Sequence, residues 1–146
     1  MQGAQVPSVL VVEDDALFAD ECAQAIKDVG MSAEIVDTGR GALEYLFERQ
    51  FKKERVDAVV LDLILPDMSG FEMLDIMRYV KDMPRLKKIP VIVVSALQDL
   101  LKCRRLDELS VRGRFLKPFK PELIAERIEL LTVMRSPIAS EIRISL

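Results

Sequence analysis

The strongest constraint on this chain is a recurrence of short apolar runs rich in β-branched residues, each followed by a segment of helical spacing. Val9-Leu10-Val11-Val12, Val56 to Leu61 and Val91 to Val94 are too short for helices. They suit strands buried on both faces better than half-exposed ones. Ala33 to Val36 and Phe115-Leu116 are shorter candidates, which makes five strands. Between them, apolar residues recur with helical period: Phe18, Cys22, Ile26 and Val29, closing at Gly30; Ala42, Leu43, Leu46 and Phe47; Phe71, Leu74, Met77 and Val80. Leu97, Leu101 and Leu109 mark a fourth helix of weaker period. Leu123, Ile124, Ile128, Leu131 and Met134 mark a fifth, with Pro121 in its first turn. Five βα units predict an α/β fold with a parallel sheet covered on both faces, and right-handed crossovers leave few windings. The doubly wound, flavodoxin-like strand order 2-1-3-4-5 is expected. Ligands of such sheets bind beyond the carboxyl ends of the strands at the switch point, here between the first and third strands.

A length of 146 residues fits one domain. We place it over residues 1–134, with 135–146, broken by Pro137, as a short tail or linker stump. The longest apolar run is far short of a membrane span, and the first residues lack the pattern of an export signal, so the cytoplasm is the expected compartment. Cys22 and Cys103 then read as unpaired thiols. A formal charge of -3 argues against a nucleic-acid-binding face. The chain has no histidine, which removes His-based metal sites and Ser-His or Cys-His catalysis. Carboxylates, lysines and hydroxyls remain for any chemistry.

Those residue types stand where the fold needs them. The first strand is followed by Glu13-Asp14-Asp15, and the third ends in Asp62. Two unit charges about 4 Å apart repel by roughly 4 kcal/mol at an effective dielectric near 20, so Glu13, Asp14 and Asp62 cannot all stay ionised without a cation. Hard carboxylate oxygens suit Mg²⁺, which keeps several waters and also takes a phosphate oxygen. The fourth strand ends in Ser95, a hydroxyl, and the fifth in Lys117, a compact charge suited to a phosphoryl oxygen. A carboxylate nucleophile, a divalent ion and a fixed cation are what phosphoryl transfer requires. A plainer role for Glu13-Asp14-Asp15 is capping of the next helix, and Asp15 is expected to do only that. Asp67 and Gly70 read as turn and helix-start residues, and Lys52-Lys53-Glu54-Arg55 as a solvated loop.

Four segments in order, VLVVEDD, VVLDLILPDMSG, IPVIVVSA and FLKPF, resemble the signature segments of the response-regulator receiver family of two-component systems. The resemblance covers residues 8 to about 134. The separation of Ser95 from Lys117, 22 residues, also resembles the family, whereas Asp14 to Asp62 is a few residues long because of the KKER insert. The resemblance implies that Asp62 is the phosphoacceptor and Asp14 a direct Mg²⁺ ligand. Glu13 would act through water, the main-chain carbonyl of Ile64 would be a further ligand, and Ser95 and Lys117 would hold the phosphoryl oxygens. It implies a phosphohistidine donor on a sensor histidine kinase or histidine phosphotransfer protein, and a downstream effector protein. Readout would pass through the fourth helix, fifth strand and fifth helix, a surface that in such proteins can also form a homodimer. The chain would catalyse its own phosphotransfer and dephosphorylation and turn over no free substrate.

Two positions depart from the pattern. Arg114 stands three residues before Lys117, where the family carries an aromatic switch residue. Phe115 is adjacent but must face the other side of the sheet. Ile64 and Leu97, two positions after Asp62 and Ser95, are apolar and offer no group to orient an attacking water. Slow self-dephosphorylation is therefore expected. Three competing functions fit less well. A phosphatase of the haloacid-dehalogenase type would need a second aspartate where Ile64 stands. A flavin binder would need a phosphate loop after the first strand, which is lacking. An interaction module that is never phosphorylated would keep the acids as structural relics, and Arg114 is the one residue that speaks for it.

Overall fold

The computed structural model describes residues 6–98 and 100–133. Its strands are β1 (Ser8–Val12), β2 (Ser32–Val36), β3 (Ala58–Asp62), β4 (Val91–Ser95) and β5 (Gly113–Leu116). All neighbours are parallel, in the order β2-β1-β3-β4-β5, as the alternation of buried runs and helices predicts. The helices are α1 (Ala16–Asp28), α2 (Gly39–Phe51), α3 (Gly70–Tyr79), α4 (Pro84–Lys88), α5 (Arg104–Glu108) and α6 (Pro121–Val133).

Side chains alternate between two cores because strand residues point to opposite faces with period two. Val9, Val11, Ala58, Val60, Ile92 and Val94 pack with Cys22 and Ile26 of α1 and with Ile124 and Ile128 of α6. Leu10, Val12, Val59, Leu61, Val91 and Val93 pack with residues of α2 to α5. The central strands β3 and β4 are buried throughout. Burial of both faces is the reason their sequences carry no polar alternation.

The fourth helix differs from its expectation. Leu97 lies outside any helix, and the segment breaks into a 3₁₀ turn (Leu100–Lys102) followed by the short α5. Leu101 is exposed, and Leu100, Leu106 and Leu109 are the buried residues. A single straight helix cannot turn all three to one face, and the broken segment packs them in the core with Val91 and Val93 of β4. The additional helix α4 also has no counterpart in the expected elements; Pro84 opens it and only Leu86 anchors it in the core. Arg78 joins α3, α4 and the end of α5. Its guanidinium donates to the carbonyls of Leu109 (2.9 Å), Lys87 (3.1 Å) and Ile89 (3.0 Å). Met134 and residues 135–146 lie outside the described residues.

Candidate functional site

The sheet brings together the residues that follow its strands. Val12 is paired with Leu61, so Glu13 and Asp62 come next on adjacent strands. Asp62 is paired with Val94, one position before Ser95, and Ser95 with Leu116, one before Lys117. Main-chain bonds fix the strand exits: Glu13 N–H donates to Val36 O at 3.0 Å and Lys117 N–H to Ser95 O at 2.9 Å.

Glu13 and Asp62 are buried carboxylates, and Asp14 beside them is exposed. One oxygen from each of the three lies within 4.8 Å of the others. The Lys117 ammonium donates to Asp62 Oδ2 at 3.0 Å and to Glu13 Oε1. The other Asp62 oxygen, Oδ1, accepts the Ile64 N–H at 2.9 Å. Burial, and then the neighbouring Asp62 carboxylate, push the Glu13 carboxyl up to about 7 against the lowering influence of Lys117. Burial draws the Lys117 ammonium down, but its bonds to Glu13 and Asp62 outweigh this and leave it raised. One lysine therefore does not neutralise the cluster, and a second cation fits it. Lys117 also lies 4.6 Å from the centre of the Phe18 ring, which stacks edge-on with Phe119.

The loop after β3 is closed by an antiparallel bridge between Ile64 and Ser69. Gly70 starts α3 against the strand end. A Cβ there would stand 2.7 Å from the Asp62 carbonyl oxygen and from the Leu63 Cα, so only glycine fits. Asp67 does more than shape the turn. Its two oxygens accept the N–H groups of Gly39 (2.8 Å) and Arg40 (2.9 Å) and so cap α2 from the loop between β3 and α3. These bonds, first that of Arg40 and then that of Gly39, hold its carboxyl below the usual range. Asp15 caps α1 through Phe18 N–H at 3.1 Å, its expected role.

The fully buried Ser95 accepts the Leu97 N–H at 3.3 Å through Oγ. Ile64 and Leu97 are exposed, each two positions beyond its strand, β3 and β4 respectively. Arg114 and Phe115 do face opposite ways: Phe115 packs with Phe119, while Arg114 reaches the turn before α5. The Arg114 guanidinium donates to the carbonyls of Leu100 (3.4 Å), Leu101 (3.3 Å) and Cys103 (3.2 Å), and pairs with Asp107. Sequence reasoning missed these carbonyls and the reach of Asp67. The only signal for either was a charged residue at an otherwise strand or turn position.

Fold and site together define a flavodoxin-like α/β domain with an acidic, lysine-bridged centre at its switch point. The family model for the response regulator receiver domain matches residues 9–129. The two-component response regulator ORR5 of Oryza sativa is 30% identical over 115 residues, which cover 79% of this chain and 81% of the relative. Response regulator RR06 of Streptococcus pneumoniae is 30% identical over 124 residues, covering 85% of this chain and 52% of the relative. Among solved structures, chemotaxis response regulator CheY4 of Vibrio cholerae superposes with a TM-score of 0.73 at 24% identity, covering 87% of this chain and 99% of that one. The chain belongs to the response regulator receiver domain family, the signalling domains of two-component systems. Domains of this family accept a phosphoryl group on an aspartate in a Mg²⁺-dependent reaction. No helix among the described residues is long and apolar enough to cross a membrane.

Proposed function

We propose that Asp62 is the phosphoacceptor, receiving the phosphoryl group from a phosphohistidine on a sensor histidine kinase or histidine phosphotransfer protein. The observation that carries this is the convergence of the buried Asp62 carboxylate with Lys117, Glu13 and Asp14 at the strand ends. Glu13, Asp14, Asp62 and the main-chain carbonyl of Ile64 would hold Mg²⁺. When bound, the ion offsets the carboxylate charge and that of the incoming phosphoryl oxygens. The Ile64 N–H orients Asp62 Oδ1. A carboxylate oxygen attacks phosphorus, the bond to the donor nitrogen breaks, and that nitrogen keeps the electron pair. Lys117 and the Ser95 hydroxyl then bind the transferred oxygens, so Lys117 exchanges a carboxylate partner for a phosphoryl one.

Residues 1–134 act as one receiver unit, which the family match over 9–129 supports. The output is an altered contact with an effector protein, with α5, β5 and α6 as the readout surface and as the surface for any homodimer. Arg114 takes the place of the aromatic switch, because it ties β5 to the turn before α5. The free thiols Cys22 and Cys103 suit a reducing, cytoplasmic compartment. Incubation with acetyl phosphate and Mg²⁺ tests the reading by mass spectrometry. One phosphoryl mass should be gained and should vanish in Asp62→Asn and on chelation. A gain that survives Asp62→Asn, or none with either acetyl phosphate or a kinase donor, refutes it.

A further inference from the structure

At the end of the sheet remote from the acidic centre, two clefts adjoin. One of about 530 Å³ lies between the end of α2 with the residues after it and α4. The other, of about 550 Å³, lies beside Phe51 and Met83. Gln50 lines both, so the two sit side by side as a two-part furrow. Asp57, on its wall, precedes β3, whereas Asp62 ends that strand. The furrow and the acidic centre are therefore roughly 16 Å apart along the strand.

The two halves differ in chemistry. Arg49, Lys53, Arg55, Arg85 and Lys88 line the first cleft with only two carboxylates, Glu54 and Asp57. Those carboxylates are engaged by Arg49 and by Arg55 (2.6 Å). Among the described residues, the exposed Lys53 and Arg85 make no ion pair. The local net charge is +3 in a chain whose formal charge is -3. Lys53 also holds φ 58, a left-handed conformation that glycine adopts at less cost. In the second cleft, Phe51 is 89% exposed, beside Phe47 and Met83. Arg49 Nε, beside the first cleft, and Oε1 of Gln50, which lines both, are buried without hydrogen-bond partners.

We propose that this furrow docks an extended acidic segment of another protein that carries an aromatic or large aliphatic residue. The cationic half complements carboxylates, and the apolar half accepts the ring or aliphatic group. The main chain of an extended segment supplies N–H and C=O groups along the junction, where a small shift of Arg49 and Gln50 would satisfy both orphan atoms. A nucleic acid suits the furrow less well, because Asp82 lines the second cleft and would repel a continuous phosphate backbone. Docking here is independent of the acceptor chemistry.

The test is selection of short displayed peptides on the intact chain. Enriched peptides should combine Asp or Glu with an aromatic or leucine residue. The best of them should lose about tenfold or more in affinity against a Lys53→Glu, Arg85→Glu variant and several-fold against Phe51→Ala. Affinity should fall with salt and stay unchanged in Asp62→Asn. The charge-reversed variant should retain its circular dichroism and its Mg²⁺-dependent phosphorylation, which separates lost docking from lost folding. Three results overturn the proposal: no enrichment or enrichment without acidic bias, unchanged binding to the charge-reversed variant, or competition by an RNA oligonucleotide as strong as by the unlabelled peptide.

Discussion

The Lys117 ammonium stands 3.0 Å from Asp62 Oδ2 although their strands, β5 and β3, are separated by β4. The same ammonium bonds Glu13 after β1, so one side chain joins the ends of three strands. Without it, two buried carboxylates face each other unopposed. Lys117→Ala should lower stability by about 1–3 kcal/mol, less than for a fully buried pair because the lysine is partly exposed. Mg²⁺ should restore part of the loss. Urea unfolding with and without Mg²⁺ reads both effects, and equal stability of wild type and variant in metal-free buffer would contradict the arrangement.

Asp67 gives a pH dependence of defined sign. Its carboxyl is held below the ordinary aspartate range by the N–H groups of Arg40 and Gly39. A depressed folded-state value means that the carboxylate stabilises the fold fully above about pH 4 and loses that contribution as pH falls through the folded value. Asp67→Asn should therefore unfold at lower urea than wild type near neutrality. The gap should close in acid, where wild-type Asp67 is itself neutral. A gap independent of pH would show that the two N–H bonds carry no ionic stabilisation.

Arg114 spreads its guanidinium over three carbonyls and one carboxylate. Arg114→Ala should cost about 1–3 kcal/mol, since it removes charge-assisted hydrogen bonds to the Leu100 and Cys103 carbonyls, which then keep only the N–H groups of Cys103 and Leu106. Amide hydrogen exchange should accelerate selectively across Leu100–Glu108. Arg114→Lys should behave like the alanine variant, because an ammonium cannot span the same set of acceptors. Exchange rates unchanged in that segment would remove Arg114 from any role in readout.

Ile64 and Leu97 are both exposed beside the site and both apolar. Neither can orient water toward a phosphoryl group on Asp62, so the phosphorylated chain should be long-lived. An Ile64→Asn, Leu97→Glu variant should lose phosphate faster than wild type when decay is followed by mass spectrometry. Equal or slower loss would sink the idea.

The strands and the residues that end them were legible in the sequence. A strand buried on both faces requires an unbroken apolar run, and an acid, serine or lysine directly after such a run must emerge at the sheet's carboxyl edge. This reasoning alone places Glu13, Asp14, Asp62, Ser95 and Lys117 together, and the strand register agrees. The segment from Leu97 to Leu109 was misread because three leucines at approximate helical spacing do not reveal which will be buried. Burial in the core with Val91 and Val93 of β4 selected Leu100, Leu106 and Leu109, and the segment folded as two short pieces. Likewise, Asp67 capping α2, Arg114 clasping the turn before α5, and the basic furrow beside α4 all join segments distant in the chain. Sequence periodicity reports which face of an element is apolar. The partner of a charged side chain depends on which elements fold against each other, and tertiary structure alone decides that.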